Sequence, residues 1–270
     1  MAYIAGVDLG SGATKTVLID ESRRVLGRGR EKTRADFEAV ARRSLDQACQ
    51  EAGLRPDQID YIAATGLGRY SLDSRDIQIT DLTCGGRGAH ALFPDANYVL
   101  DMGAQCTRAV ALRDGGKVRL FRTNEKCAAG SGGFLERISR YLEVPLEDVG
   151  KLSLESTEPQ PISSVCAVLA ESEIINHISE GKSVADILCG AHHSLAGRAL
   201  SQLKMVGLDG PLVLIGGVAL QEGMVSACRE LFPVEVHVPE HPSHVVAYGA
   251  ALLGLQRYRK RQAQPDAATA

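Results

Sequence analysis

The sequence predicts an α/β chain of two similar lobes, each a mixed sheet flanked by helices. Three observations predict it. A strand–strand–strand order starts near Tyr3 and starts again near Asn97. Each set opens on an Asp-x-Gly hairpin, at Asp8 and at Asp101. Aromatic residues are 4% of the chain and Trp is missing, which fits a core of Val, Leu, Ile and Ala between helices and sheet. The 270 residues suffice for one large or two moderate domains, and 44% hydrophobic with 23% charged residues is globular composition rather than that of a disordered or coiled-coil chain.

In chain order, residues 3–9 are a short apolar run, 10–14 a glycine-rich turn and 15–19 a second run, which together read as a β-hairpin. Residues 25–30 supply a third strand. Over 36–53 the apolar positions Phe37, Val40, Ala41, Leu45, Ala48 and Cys49 have the spacing of an amphipathic helix, and 61–65 is a fourth strand running into Gly66. Residues 97–103, 108–112 and 117–121 repeat the first three strands. Helices are expected at 134–142, from about 146, from the 163–171 stretch to Ile178, and over 184–206. Residues 211–215 form a strand stopped by Gly216-Gly217, 243–258 a helix of small residues, and 259–270 a frayed tail. The expected lobes are therefore 1–95 and 96–258.

A formal net charge of −3 gives no electrostatic reason to expect nucleic acid as partner. The first residues place an acid and glycines where a signal peptide needs a basic start and an apolar stretch, and no run reaches the ~18 apolar residues of a membrane span. A cytoplasmic address without membrane contact is the expectation. Seven cysteines stand at 49, 84, 106, 127, 166, 189 and 228, an odd and dispersed set that argues against a disulfide framework. No Cys-x-x-Cys pair occurs, which removes zinc-ribbon and thioredoxin readings but leaves room for a metal centre built by more than one chain.

Asp8-Leu-Gly-Ser-Gly-Ala-Thr-Lys invites comparison with a Walker loop, but Thr14 rather than Gly precedes Lys15, and a strand rather than a helix follows. The turn can still hold phosphate: unobstructed N–H groups converge on its oxygens, and a strand-end carboxylate can hold Mg2+ through water. Asp8, Gly10, Ser11, Gly12, Ala13 and Lys15 are the candidates, with an ordinary tight hairpin as the alternative. Asp101, Gly103, Ala104 and Gln105 could supply a matching loop, so that two turns clamp a polyphosphate and two carboxylates flank its metal. The strand at 212–215 ends in Gly216-Gly217, followed by Val218 and Ala219. A backbone bare of side chains there would admit a flat base or ribose; a plain strand-to-helix turn is the other reading.

The order phosphate turn, phosphate turn, Gly-Gly resembles the superfamily of sugar kinases, actin and heat-shock chaperones over the whole chain. That resemblance implies two ribonuclease-H-like domains with nucleotide in the cleft between them. Asn124-Glu-Lys-Cys-Ala-Ala-Gly-Ser-Gly-Gly-Phe-Leu and Ser163-Ser-Val-Cys-Ala-Val-Leu-Ala-Glu are more specific. They are similar to the ATP-dependent activators of 2-hydroxyacyl-CoA dehydratases and the ATPase subunits of benzoyl-CoA reductase. In that family the cysteines matching Cys127 and Cys166 bind iron and sulfur. A [4Fe-4S] cluster takes about four thiolates, so two from each of two chains would complete one at a dimer interface. Each cysteine precedes an expected helix start, where backbone N–H groups favour an anionic centre. Cys49, Cys84, Cys189 and Cys228 are left as structural.

Activators commonly carry Gly-Gly-Gln-Asp at the second loop, whereas this chain has Gly103-Ala104-Gln105-Cys106, which puts a metal role for that loop's missing acid in question. Arg108-Ala109-Val110 looks closer to the reductase ATPase subunits. Glu171 could place a carboxylate near the attacking water, or simply stabilise a helix start. His192-His193 reads as packing or surface.

The resemblance thus implies an ATPase that drives a low-potential electron: reduced ferredoxin or flavodoxin as donor, ATP with Mg2+, a shared [4Fe-4S] cluster, a homodimer or a heterodimer with a related ATPase subunit, and a CoA-thioester reductase or dehydratase as acceptor in an anaerobic cytoplasm. A small-molecule kinase and a non-enzymatic nucleotide switch on the same fold are the rivals.

Overall fold

The computed structural model describes residues 1–124, 130–163 and 167–263, with the side chains of 167 and 168 left aside. The chain divides into two compact units, Met1–Leu92 with Gly115–Lys117 and the C-terminal segment from His244, and Phe93–Asp114 with Val118–Ser243.

The first unit is a five-stranded sheet in the order β3-β2-β1-β4-β5, made of β1 (Ile4–Leu9), β2 (Ala13–Ile19), β3 (Val25–Lys32), β4 (Tyr61–Gly66) and β5 (Ile77–Gln78). β1–β2 and β2–β3 are antiparallel; β1–β4 and β4–β5 are parallel. Period-two alternation along β1 sends Ala5 into an apolar cluster with Leu45, Ala48 and Cys49 of α1 (Phe37–Ala52), and Ile4 into one with Ala247, Ala251 and Leu255 of α8 (Val245–Ala263). α1 starts on Asp36, whose carboxylate accepts from the Ala39 N–H at 2.9 Å, and stops at left-handed Gly53, so both ends lie where the pattern put them. Gly6 faces α8 so closely that a Cβ would strike the Ala247 carbonyl.

The second unit repeats the order as β10-β9-β6-β7-β8, from β6 (Tyr98–Met102), β7 (Thr107–Arg113), β8 (Lys117–Asn124), β9 (Leu212–Ile215) and β10 (Val236–His237). β6–β7 is antiparallel, while β6–β9 and β9–β10 are parallel. Its helices are α3 (Gly132–Tyr141), α4 (Val149–Ser153), α5 (Ala167–Ser179), α6 (Val184–Met205) and α7 (Glu222–Leu231). They bury Tyr98, Leu100 and Met102 of β6 in one apolar core with Phe134, Leu195 and Met224.

Four differences from the sequence reading stand out. Helix α2 (Asp81–Leu92) and the short strands β5 and β10 carry no period long enough to read, and α7 was not anticipated. The helix over 243–258, grouped by sequence with the second lobe, belongs to the first unit, where it packs on β1, β4 and α2. Residues 259–263, read as tail, continue that helix. The helix expected from about 146 is a single turn and a half, Val149–Ser153. Among the described residues no helix is long and apolar enough to cross a membrane.

Candidate functional site: two carboxylate turns

Asp8 sits in the otherwise apolar β1 and is 5% exposed. Antiparallel register puts Lys15 directly opposite, and its ammonium meets Asp8 Oδ2 at 2.5 Å while also donating to the Ala13 carbonyl at 3.2 Å. The other carboxylate oxygen, Oδ1, faces the neighbouring parallel strand, whose last residue, Gly66, adopts φ +85°. A Cβ on Gly66 would lie 2.5 Å from Oδ1 and 2.7 Å from the Leu9 carbonyl. Glycine therefore serves two ends here: it takes the left-handed turn and leaves a notch beside the oxygen.

Asp101 repeats this arrangement in β6. Arg108 is its register partner, with Nη1 on Oδ2 at 3.3 Å. Oδ1 faces Gly216 at the end of parallel β9, at φ +96°, where a Cβ would come within 2.7 Å of it and would strike the Met102 carbonyl. Each unit thus presents a carboxylate with one oxygen on its own strand partner's cation and the other beside a glycine notch.

The match extends along both turns, Asp8-Leu-Gly-Ser-Gly-Ala-Thr-Lys and Asp101-Met-Gly-Ala-Gln-Cys-Thr-Arg, in which Gly, Thr and the cation recur two, six and seven places after Asp. Both threonines are fully buried. Thr33 Oγ1 donates to the Gly10 carbonyl at 2.7 Å, so Thr14 Oγ1, 3.1 Å away, donates to Thr33. Thr107 Oγ1 donates to the Gly130 carbonyl at 2.6 Å. In each unit the threonine ties the turn to the chain that follows the third strand. Thr107→Val leaves the Gly130 carbonyl without this donor, and a loss of about 1–3 kcal/mol is expected from denaturant midpoints, with Thr107→Ser retaining most of it.

The second turn is also fastened to α3. The Gly132 and Gly133 N–H groups donate to the carbonyls of Gly103 and Ala104 at 2.9 and 2.7 Å, meeting donors that a helix start leaves orphaned. A Cβ on Gly132 would sit 2.9 Å from Val218 Cγ2, and one on Gly133 3.1 Å from the Ala104 carbonyl. Sequence reasoning gave the helix-start N–H groups here to an anionic cluster; two of them belong to the turn instead. The Gly103 N–H is likewise engaged, on the Cys106 carbonyl at 2.8 Å.

Gly216-Gly217 divides in role. Gly216 donates its N–H to Pro242 and makes the left-handed turn. A Cβ on Gly217, at φ −67°, would meet nothing within 4 Å among the described residues, so no packing explains that glycine. Val218 and Ala219 start a one-turn 3-10 helix and are 5% and 4% exposed core residues, so neither side chain offers a surface to a ligand.

Glu171 is engaged elsewhere. On α5 its carboxylate takes Arg137 of α3 at 2.9 Å and the Tyr141 hydroxyl at 3.4 Å, a bridge between two helices. Cys127 and Cys166 lie outside the described residues. Among the described residues no group of three or more His, Cys, Asp or Glu is arranged to hold a metal. Burial pushes the thiols of Cys84 and Cys228 up to about 12, as expected of structural cysteines.

His192, on the core side of α6, is fully buried, whereas the neighbouring His193 reaches Glu230 at 3.1 Å. Ser153 Oγ donates to the Gly150 carbonyl, so His192 donates from Nδ1 to Ser153 Oγ at 3.0 Å, and its Nε2 has no hydrogen-bond partner. Burial holds the imidazole neutral, with its pKa lowered from 6.5 to about 4. The unfolded chain therefore binds a proton that the folded one refuses. Stability is full above pH 6.5 and falls towards pH 4, by roughly 3 kcal/mol in all. Unfolding midpoints measured across that window should lose this slope in a His192→Phe variant.

Sequence reasoning missed Gly66 and left Arg108 without a role. The signal for Arg108 is the shared Asp-to-cation spacing of seven; for Gly66 it is the parallel with Gly216, each closing a buried strand.

Known proteins resemble this chain along nearly its whole length. Over 271 residues it is 39% identical to a benzoyl-CoA reductase subunit of Thauera aromatica, covering 96% of this chain and 95% of that one. It is 36% identical to the activator of lactoyl-CoA dehydratase of Anaerotignum propionicum, covering 96% and 100%. The solved activator of the 2-hydroxyisocaproyl-CoA dehydratase from Clostridium difficile, with bound ADPNP, superposes at a TM-score of 0.93 with 32% identity over 99% of this chain and 100% of that one. With residues 5–254 also matching the family model, the chain belongs to the BadF/BadG/BcrA/BcrD ATPase family.

Proposed function

We propose that the chain hydrolyses ATP to deliver low-potential electrons to a partner acting on a CoA thioester, as an ATPase component of a benzoyl-CoA reductase type of complex. The observation that carries the nucleotide half of this reading is the duplicated turn, with one carboxylate oxygen held by a cation and the other beside a glycine notch. Hard carboxylate oxygens of this kind suit Mg2+, so Asp8 and Asp101 are the residues that would hold it. When bound, Mg2+ neutralises charge on the transferred phosphoryl group. Lys15 and Arg108 then act as fixed counterions that aim the carboxylates. The N–H groups of Gly10, Ser11, Gly12 and Ala13, and of Ala104 and Gln105, are the donors for phosphate oxygens. The Gly216-Gly217 backbone receives the adenosine. Glu171 takes a bridging role in this reading, and water positioning falls to the two aspartates.

Cys127 and Cys166 are the proposed ligands of a [4Fe-4S] cluster. What supports the pairing is the Arg137–Glu171 bridge, which joins the two helices that follow the two cysteines. Two thiolates are half of the about four such a cluster takes, so a second chain completes it, in a homodimer or with a related ATPase subunit. Ferredoxin or flavodoxin is the proposed electron donor. The 39% identical reductase component and the departure at Gly103-Ala104-Gln105-Cys106 favour the reductase reading. Activation of a 2-hydroxyacyl-CoA dehydratase is the second reading, favoured by the 36% identical activator.

Iron and sulfide analysis under anaerobic conditions tests the cluster. The wild type, expressed alone and with a related ATPase subunit, is expected to carry iron and sulfide that Cys127→Ser and Cys166→Ser each lose. Full retention in both variants overturns the assignment. Reconstitution with a benzoyl-CoA reductase core or with a 2-hydroxyacyl-CoA dehydratase then separates the two readings by which partner becomes active.

A further inference from the structure

The first unit carries a second feature, at the end of the β1–β2 hairpin away from Asp8. A cavity of about 280 Å³ is lined by Arg23, Arg87, Arg259 and Lys260, with Leu252 and Leu255 of α8 among its walls, and among the described residues no carboxylate lines it. Antiparallel register pairs Ile4 with Ile19, so the β2–β3 turn that holds Arg23 lies beyond the start of β1. From there to Asp8 is at least four residues of strand, roughly 14 Å at about 3.4 Å each.

Four cations around one cavity repel one another unless an anion joins them. Among the described residues none of the four has a carboxylate as ion-pair partner. Three are nevertheless held in place. Arg87 Nη1 donates to the Gly115 carbonyl at 2.9 Å, while its buried Nε has no hydrogen-bond partner. Arg259 Nη2 donates to the Glu21 carbonyl at 2.6 Å. Arg23 adopts φ +72°, a left-handed position where glycine or asparagine is the ordinary choice. Its turn is locked by Asp20, whose Oδ1 accepts from the Ser22 N–H, the Ser22 hydroxyl and the Arg24 N–H at 2.8, 2.6 and 3.0 Å. The left-handed residue is the one this tight turn requires, with the Arg23 N–H on the Asp20 carbonyl at 3.0 Å, so the turn sets Arg23 at the cavity.

We propose that this cavity binds a small phosphorylated molecule, its phosphate or pyrophosphate group forked by the arginines. Guanidinium groups match phosphate oxygens two by two, which suits a cavity ringed by three arginines and a lysine.

Calorimetric titration of the full chain, saturated with Mg2+ and ADP so that the nucleotide turns are occupied, tests the site. Inorganic pyrophosphate and phenyl phosphate are the probes, and they separate recognition of the free anion from recognition of an anion on an organic body. One further binding event per chain is expected with either probe. Arg23→Glu and Lys260→Glu, both on exposed side chains, should each weaken it by about tenfold or more while leaving ADP affinity and the unfolding midpoint unchanged. No event, or one that neither variant weakens, overturns the proposal. A polyglutamate peptide that binds where neither small probe does also overturns it, in favour of an acidic protein partner.

Discussion

Replacing Asp8 by asparagine is expected to lower Mg2+-dependent ATP turnover by about two to three orders of magnitude, the size of loss that follows removal of one preorganised electrostatic partner of a transferring group. Asparagine keeps the shape of the side chain but not its charge, so the oxygen beside Gly66 becomes a weak ligand for a hard cation. The same change strands Lys15, whose side chain is 14% exposed against 8% for its partner. Breaking a largely buried pair from one side leaves an uncompensated charge, so the unfolding midpoint should also drop. The double variant Asp8→Asn, Lys15→Gln separates the two effects. It should recover the midpoint without recovering turnover; recovery of both would mean that Asp8 only stabilises the hairpin. Asp101→Asn is expected to behave alike, with Arg108 as the stranded cation. In both variants iron and sulfide content should stay at the wild-type level, and its loss together with turnover would point to misfolding.

Gly66→Ala should be nearly as damaging, although Gly66 carries no functional group. Its φ of +85° costs an alanine about 1–2 kcal/mol, and the added Cβ would stand 2.5 Å from Asp8 Oδ1 and 2.7 Å from the Leu9 carbonyl. One of the two contacts is with a flexible carboxylate and the other with backbone, so Asp8 must turn aside and the ends of β1 and β4 must part. A shift of about 1 Å in a catalytic group can cost on the order of a hundredfold in rate. ATP turnover is expected to fall by that factor, and the midpoint to drop by more than the left-handed conformation alone would cost. Gly53→Ala is the control, because Gly53 shares the left-handed conformation but a Cβ there would meet nothing within 4 Å. It should lose less stability than Gly66→Ala and keep its turnover. Equal turnover in the two variants would remove the notch from the mechanism.

The sequence by itself determined the features that depend on near neighbours. The hairpins at Asp8 and Asp101, the helix between Asp36 and Gly53 and the buried strand before Gly216 all follow from periodicity and turn chemistry. Those signals survive folding because their partners are a few residues away. Tertiary structure decided what rests on distant packing. Helix α2 contains Gly85, Gly86 and Gly88, which lower its intrinsic helix propensity, yet it forms because α8 approaches so closely that a Cβ on Gly88 or Gly249 would strike the backbone of the other helix. That same approach draws α8 onto the first sheet, across more than a hundred residues of the second unit, which no local pattern could announce. Glu171 reads from sequence as a helix-start acid available for chemistry, and becomes a bridge only because α3 brings Arg137 to it. Gly66 shows the division most clearly: its neighbours in sequence give it the end of a strand, and only the parallel pairing of β4 with β1 sets it against the carboxylate of Asp8.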